Sequence, residues 1–235
     1  MIKGVAFDLE GPLVEFEREG HHKAHLLAAK DARVELTLDE AFKKIPNLIG
    51  GPSEKIAEQI HALSDGRLNP KEILERQRMY FRELFNKLTH IDTRPGFLTA
   101  LAEIRGWGLE TTIGSSTSLN EAWFYILNSG LDKQFEPERI VLVEPGSTIR
   151  HKPHPDIFLE TAKRMSIKPE EQLVVEDSVR GVQAAIAAGS PVIGLTVYKH
   201  PRAIIPLLEA GAIRVFVDWR EINIPALIRN LNEEV

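Results

Sequence analysis

The sequence predicts an α/β protein: a doubly wound, mostly parallel sheet with an inserted helical cap domain. Short apolar runs recur along the chain with helical stretches between them, which is the rhythm of a parallel sheet. Residues 15–92 interrupt this rhythm with charged, amphipathic sequence that contains no convincing strand. The chain has 235 residues, 43% of them hydrophobic, which is enough to bury a core beside an inserted subdomain.

The apolar runs are the candidate strands. They are Ile2–Phe7, Leu109–Ile113, Ile140–Val143, Leu173–Val175, Pro191–Thr196 and Val215–Val217. Helix signals lie between them: Ser118 and Glu121 form a capping-box pattern, and Gly130 ends that helix. Ser178 starts another helix, which ends near Gly189. Strands and helices therefore alternate through this part of the chain.

The inserted segment carries helical patterning only. It runs from Glu15 to Asp92 and includes a long helical stretch, Pro70–Leu88. Arg94 begins an Arg-Pro-Gly turn signal, after which the alternation of strand and helix resumes. We therefore expect a core domain of residues 1–14 and 93–235, and a helical cap domain of residues 15–92.

The composition excludes several classes of function. A net charge of −5 with 27% charged residues gives no basic stripe, so we expect neither nucleic acid nor a membrane as partner. The absence of cysteine excludes disulfides, thiolate zinc sites and thiol nucleophiles. The uncharged stretch Gly181–Tyr198 is divided by Gln183 and Gly189, which excludes a membrane span. Asp8 and Glu10 stand where a secretory signal needs unbroken apolar sequence, so we expect a cytoplasmic protein.

Polar side chains follow the candidate strands at the points where they end. Parallel sheets bind ligands outside the carboxyl ends of their strands, so these residues are the candidates for a site. They are Asp8 and Glu10 after the first run, Ser115 and Ser116 after the second, Lys152 in the loop after the third, and Glu176 and Asp177 after the fourth. A single aspartate in this position is more often a turn or capping residue. The coincidence of several such groups favours a functional site.

The two carboxylates after the first run are suited to phosphoryl transfer. Asp8 and Glu10 can point into one pocket if the chain turns, and Gly11 supplies the turn. One carboxylate would attack phosphorus to form an aspartyl-phosphate, while the other would protonate the leaving oxygen and later deprotonate water. Magnesium would offset the repulsion between carboxylate and phosphate, and Glu176 and Asp177 offer hard oxygen ligands for it.

The ordered segments FDLEG, IGSS, HKPHPDIF and VVEDSVRGVQAA resemble the four sequence motifs of the haloacid dehalogenase superfamily. The chain is most similar to the branch with a helical cap after the first strand, which holds β-phosphoglucomutase-like enzymes and many sugar-phosphate phosphatases. The resemblance is strong over residues 1–14 and 93–198 and weak in the cap. It implies a Rossmann-like core, a Mg²⁺ cofactor and a small phosphorylated metabolite as substrate.

The resemblance also implies a role for each candidate residue. The implied roles are nucleophile for Asp8, acid and base for Glu10, phosphate ligands for Ser115, Ser116 and Lys152, and Mg²⁺ ligands for Asp8, Asp177, Glu176 and the backbone carbonyl of Glu10. The phosphatases and mutases of this superfamily usually have Asp where this chain has Glu10. A carbonyl ligand is unaffected by that change, but the longer side chain alters acid and base geometry, where displacements of about 1 Å can cost roughly a hundredfold in rate.

Several alternatives remain open at this stage. A phosphatase and a phosphomutase share every motif, and a phosphate-binding regulatory protein with weakened catalysis would explain Glu10. A dehalogenase fits less well, because the carboxylates suit a metal-bound phosphate better than a halide. In the cap, His21, His22 and His25 form a helical cluster, which we interpret as an exposed helix with one substrate-facing histidine rather than a metal site. We expect a monomer or a small homo-oligomer.

Overall fold

The chain divides into two compact units in the structure, a computed structural model. One unit comprises Met1–Glu15 and His90–Val235, and the other comprises Phe16–Thr89. The structure describes residues 1–49 and 51–233. Gly50 of the predicted cap domain and the last two residues of the predicted core domain lie outside the described residues. No helix in the described part of the chain is long and apolar enough to cross a bilayer.

The core unit contains a six-stranded sheet in which all neighbouring strands are parallel. The strands are β1 (Gly4–Phe7), β2 (Glu110–Ser115), β3 (Ile140–Leu142), β4 (Gln172–Glu176), β5 (Val192–Leu195) and β6 (Val215–Phe216). Their order is β3-β2-β1-β4-β5-β6, which confirms the predicted doubly wound sheet. The strand order reverses between β1 and β4, so a crevice opens outside their carboxyl ends, where such sheets bind ligands.

Helices are the only regular secondary structure among the described residues of the unit Phe16–Thr89. A π-helical turn, Glu17–His22, precedes α1 (Lys23–Asp31), α2 (Leu38–Lys44), α3 (Ser53–Leu63) and α4 (Pro70–Asn86). Asn69 caps α4, because its side chain accepts a hydrogen bond from the Glu72 amide while the Glu72 carboxylate accepts one from the Asn69 amide. Small and branched residues from all four helices form a separate buried cluster in this unit.

Helices flank the sheet of the core unit. They are α5 (Phe97–Gly106), α6 (Leu119–Asn128), α7 (Asp156–Arg164), α8 (Val179–Ala188), α9 (Pro201–Glu209) and α10 (Ile224–Glu233). The predicted starts of α6 and α8 at Ser118 and Ser178 are confirmed. Only Ser178 caps its helix with its side chain, and the predicted capping box at Ser118 does not form. The Ser178 hydroxyl accepts a bond from the Gly181 amide at 3.0 Å. The Ser118 hydroxyl instead donates to the Glu121 carboxylate at 2.7 Å.

Candidate active site

A buried ammonium group lies between two carboxylates at the carboxyl end of the sheet. Asp8 directly follows β1, and its amide donates to the Val175 carbonyl of β4 at 2.9 Å, so it lies beside Glu176. Lys152 Nζ contacts Asp8 Oδ1 and lies 2.5 Å from Glu176 Oε1. It also donates to the Gly114 carbonyl at 3.0 Å. These contacts connect the ends of β1, β2 and β4 through one side chain.

Burial and charge shift the pKa values of this group. Burial raises the pKa of Asp8 to about 7, although the Lys152 ammonium stabilises the ionised carboxylate. Burial alone would lower the pKa of Lys152, but the Asp8 and Glu176 carboxylates outweigh it and hold that pKa above its usual value. Lys152 is therefore a permanent positive charge, and a second cation beside Asp8 would favour ionised Asp8 further.

Glu176 is a fully buried carboxylate whose two oxygens have different partners. Its Oε1 contacts Lys152, while its Oε2 accepts bonds from the Asp177 amide at 3.0 Å and from the amide and hydroxyl of Ser178 at 3.1 and 3.0 Å. A Cβ at Gly181 would overlap this carboxylate, so the first turn of α8 can approach it only with glycine there. Glu176 thus fixes both Lys152 and the start of α8.

The third carboxylate of the cluster belongs to Asp177. Ligand oxygens of Asp8, Glu176 and Asp177 all lie within 4.8 Å of one another, and no other such group of three occurs among residues 1–49 and 51–233. Gly11 has φ +100°, and a Cβ there would overlap the Asp177 side chain. Asp177 is therefore packed against the backbone of the loop after β1. Clustered hard oxygen donors without sulfur or imidazole suit Mg²⁺.

The predicted phosphate-binding hydroxyls lie at the end of β2. Ser115 is fully buried, and its hydroxyl donates to Thr117 Oγ1 at 3.0 Å and accepts from the Thr117 amide at 3.1 Å. The Ser116 hydroxyl accepts a bond from the Lys152 amide at 3.2 Å, which attaches the loop carrying Lys152 to the end of β2. The structure therefore brings Ser115, Ser116 and Lys152 together, and their roles toward phosphate remain predictions.

Glu10 is half-buried and has a neighbour that the sequence did not indicate. The hydroxyl of Tyr125 in α6 donates to Glu10 Oε1 at 3.4 Å. The loop that carries Glu10 turns tightly, because the Gly11 amide donates to the Val14 carbonyl at 2.7 Å. Tyr125 was missed because its sequence position fits an ordinary buried helix residue, and it is buried.

Two arginines also escaped the sequence interpretation. The buried Arg94 guanidinium donates to the Gly11 carbonyl at 2.8 Å and to the Val217 carbonyl at 2.5 Å, so it connects the loop after β1 to the segment after β6. Arg180 of α8 donates to the Lys152 carbonyl. The only signal for Arg94 was its place in the turn before α5, which identifies a turn but not the direction of a side chain.

The histidine cluster differs from the prediction of an exposed helix. His22 and His25 are buried, with 1% and 3% exposure, and His21 stacks on Phe81 at 4.2 Å between ring centroids. His22 Nε2 lies 3.0 Å from Glu17 Oε1. His22 ends the π-helical turn and His25 lies in α1, and both face the interior of this unit, which the local sequence did not indicate. Among the described residues, these histidines and Glu17 do not form a group whose ligand atoms are close enough to bind one metal ion.

Known proteins resemble the chain over most of its length. The family model described as haloacid dehalogenase-like hydrolase matches residues 2–189. A β-phosphoglucomutase of Bacillus subtilis is 24% identical, covering 83% of each chain. A phosphorylated carbohydrates phosphatase of Thermotoga maritima is 28% identical over 90% of this chain and 93% of the relative. The crystal structure of a haloacid dehalogenase-like protein from Agrobacterium tumefaciens aligns with a TM-score of 0.81 at 25% identity, covering 99% of this chain and 100% of that one.

Proposed function

We propose, from the premise that this chain belongs to the haloacid dehalogenase-like hydrolase family, that it is a Mg²⁺-dependent phosphatase acting through an aspartyl-phosphate on Asp8. The chain is a phosphoric monoester hydrolase of the β-phosphoglucomutase-like branch. The observation that carries the proposal is the buried contact of Lys152 with both Asp8 and Glu176, beside Asp177. In this arrangement the proposed nucleophile, Asp8, lies next to the positive charge of Lys152, which would stabilise the charge that develops in phosphoryl transfer.

The proposed reaction has two steps. In the first, an Asp8 oxygen attacks phosphorus, the phosphorus–ester oxygen bond breaks, and Glu10 gives its proton to the leaving alcohol. In the second, Glu10 takes a proton from water, the resulting hydroxide attacks phosphorus, and the bond between Asp8 and phosphorus breaks to release inorganic phosphate. Each step returns Glu10 to the protonation state that the other step needs, so the cycle closes without another acid or base.

The acidic cluster fits a divalent cation. We assign the ligands to the carboxylates of Asp8 and Asp177 and the backbone carbonyl of Glu10. The sequence-based ligand set also included Glu176, but both of its oxygens already have protein partners. This supports a role for Glu176 in holding Lys152 rather than in binding the ion directly. When bound, Mg²⁺ would supply charge neutralisation between the attacking carboxylate and the phosphate.

The phosphate would be bound by Lys152 and by hydroxyls at the end of β2. Lys152 Nζ contacts Asp8 Oδ1, so the Lys152 ammonium would face the phosphoryl group that Asp8 attacks. The Ser115 hydroxyl is oriented by Thr117, and Ser116 holds the backbone of Lys152. The phosphatase and mutase names of the relatives support a small phosphorylated carbohydrate as the substrate class.

The proposal is tested by phosphate release from sugar phosphates, phosphoglycolate, nucleotides and p-nitrophenyl phosphate, with and without Mg²⁺. We expect release that requires Mg²⁺ and disappears in Asp8→Asn, because the amide is a poor nucleophile. Release that persists in Asp8→Asn would contradict the aspartyl-phosphate. Phosphorus NMR of the same mixtures identifies a mutase through an isomerised sugar phosphate, and phosphate binding without any turnover would identify a regulatory module.

A further inference from the structure

We infer that Tyr125 is a positioning residue for Glu10, and this inference rests on the proposed role of Glu10 as acid and base. The Tyr125 hydroxyl donates to Glu10 Oε1 at 3.4 Å. The two residues come from different parts of the core unit, since Glu10 follows β1 and Tyr125 lies in the middle of α6. Tyr125 would act on the reaction only through Glu10, by fixing the end of its side chain.

A glutamate at this position needs such a partner more than an aspartate would. Glu has one more rotatable bond than Asp, and ordering a long polar side chain loses more rotamer entropy. Proton transfer nevertheless requires the carboxylate within about 2.6–3.2 Å of the oxygen that it serves. A hydrogen bond from a rigid donor restricts the extra torsion and holds the carboxylate ready for the substrate.

The structure makes Tyr125 a rigid donor. Tyr125 is fully buried, and it lies on the inward face of α6 together with Ala122 and Ile126. Trp123, two residues before Tyr125, is 39% exposed, so α6 has distinct buried and exposed faces. A tyrosine ring has few torsions and is held here by the core, while its hydroxyl reaches the half-buried carboxylate of Glu10. The donor is also neutral, so it orients Glu10 without adding a charge to the site.

A purely structural role for Tyr125 makes different predictions. A buried tyrosine hydroxyl needs a hydrogen-bond partner for stability, whatever the chemistry of that partner. Its loss would then lower the stability of the fold and affect all substrates alike. A positioning role instead affects the steps that require proton transfer by Glu10, and it depends on the length of the residue at position 10.

The experiment compares wild type, Tyr125→Phe, Glu10→Asp and the double variant with an alkyl phosphate and with p-nitrophenyl phosphate. We expect Tyr125→Phe to lower kcat for the alkyl phosphate by about tenfold or more, with KM changed by less than about twofold. In the Glu10→Asp background the shorter carboxylate cannot keep the contact, so adding Tyr125→Phe should change kcat by less than about twofold. Equal factors in both backgrounds, or no effect in wild type, would overturn the inference.

The leaving group gives a second readout that does not need the Glu10→Asp enzyme. p-Nitrophenolate leaves with little help from an acid, whereas an alkoxide must be protonated. We expect Tyr125→Phe to slow the first-turnover release of p-nitrophenolate by less than about threefold, while the alkyl phosphate loses about tenfold. A uniform loss with both substrates would show that the ring supports the fold and not Glu10.

Asp8→Asn, measured in the same assays, distinguishes failure of the proposed function from failure of the positioning role of Tyr125. If Asp8→Asn keeps its turnover, the proposed function fails. If it is inactive and Tyr125→Phe shows no dependence on position 10 or on the leaving group, the function stands and only the positioning role fails.

Discussion

Lys152 and Glu176 form the most deeply buried ion pair of the site, with Nζ 2.5 Å from Oε1 and side-chain exposures of 5% and 0%. Glu176 also fixes the start of α8 through Asp177 and Ser178. The Glu176 carboxylate therefore positions both the Lys152 ammonium and the backbone of Asp177. The geometry of the candidate active site and the local fold depend on the same residue.

Glu176→Gln should therefore destabilise the protein as well as reduce its activity. The substitution removes one of two carboxylates beside a buried ammonium, and breaking a buried pair costs about 3–5 kcal/mol in the free energy of unfolding. Urea unfolding measures the loss. The control is Glu170→Gln, which removes an exposed carboxylate 3.9 Å from Lys168 and should change stability by less than about 1 kcal/mol. Similar losses in the two variants would contradict the importance of the buried pair.

Gly181→Ala should damage the site although alanine favours helices. The added methyl group would overlap the Glu176 carboxylate, which must then move and take Lys152 with it. We expect kcat to fall by about a hundredfold, as for a displacement of about 1 Å at the reacting groups.

Gly106→Ala is the matched control for this substitution. A Cβ at Gly106, also in a helix, meets no atom within 4 Å. We expect unchanged kcat and a gain of up to about 1 kcal/mol in the free energy of unfolding. A Gly181→Ala enzyme as active as Gly106→Ala would show that the site tolerates movement of Glu176.

His25 should make the protein sensitive to acid. Burial, together with the neighbouring His21 and His22, lowers its pKa from 6.5 to about 3, while Glu17 opposes this shift. Nδ1 of this ring has no hydrogen-bond partner within the described residues. The folded protein therefore holds neutral His25, whereas the unfolded chain binds a proton below the ordinary pKa. The stabilisation is complete above pH 6.5 and is lost as the pH falls toward 3.

The corresponding measurement is the free energy of unfolding between pH 7 and pH 4 for wild type, His25→Gln and His90→Gln. His25 should account for a loss on the order of 3 kcal/mol across this interval, which His25→Gln should remove. His90, with a side chain 66% exposed, serves as the control and should leave the acid dependence unchanged. An identical pH slope in wild type and His25→Gln would contradict the assignment.

The sheet and the position of the carboxylates were predictable because parallel sheets place the residues at the carboxyl ends of their strands along one edge. Asp8, Ser115 and Glu176 each follow or end an apolar strand, and parallel topology brings such positions to one edge. The sequence pattern therefore predicted their proximity without any knowledge of side-chain geometry. Lys152 was predicted from its place in the loop after the third apolar run and from its motif, but the irregular loop gave no indication of where its side chain would lie.

The remaining contacts depend on tertiary geometry that periodicity does not encode. Tyr125 fits an ordinary inward-facing helix position, and only the fold shows that its hydroxyl reaches Glu10. Arg94 follows no strand, and its direction is set by carbonyl groups far away in the sequence. The histidines of the other unit were interpreted as part of an exposed helix, but the packing of that unit buries His22 and His25, which the local sequence does not indicate.

Chemical trapping of the phosphorylated carboxylate identifies the residue that attacks phosphorus. Glu10→Gln enzyme, which should form the aspartyl-phosphate from p-nitrophenyl phosphate but hydrolyse it slowly, is mixed with this substrate and Mg²⁺, quenched and treated with borohydride. Borohydride reduces an aspartyl-phosphate to homoserine, which mass spectrometry of the peptide detects. We expect homoserine at position 8, and none when Asp8→Asn is treated in the same way. Hydrolysis by the wild type without any trapped residue at position 8 in the Glu10→Gln enzyme, or homoserine at another aspartate, would show that Asp8 is not the nucleophile.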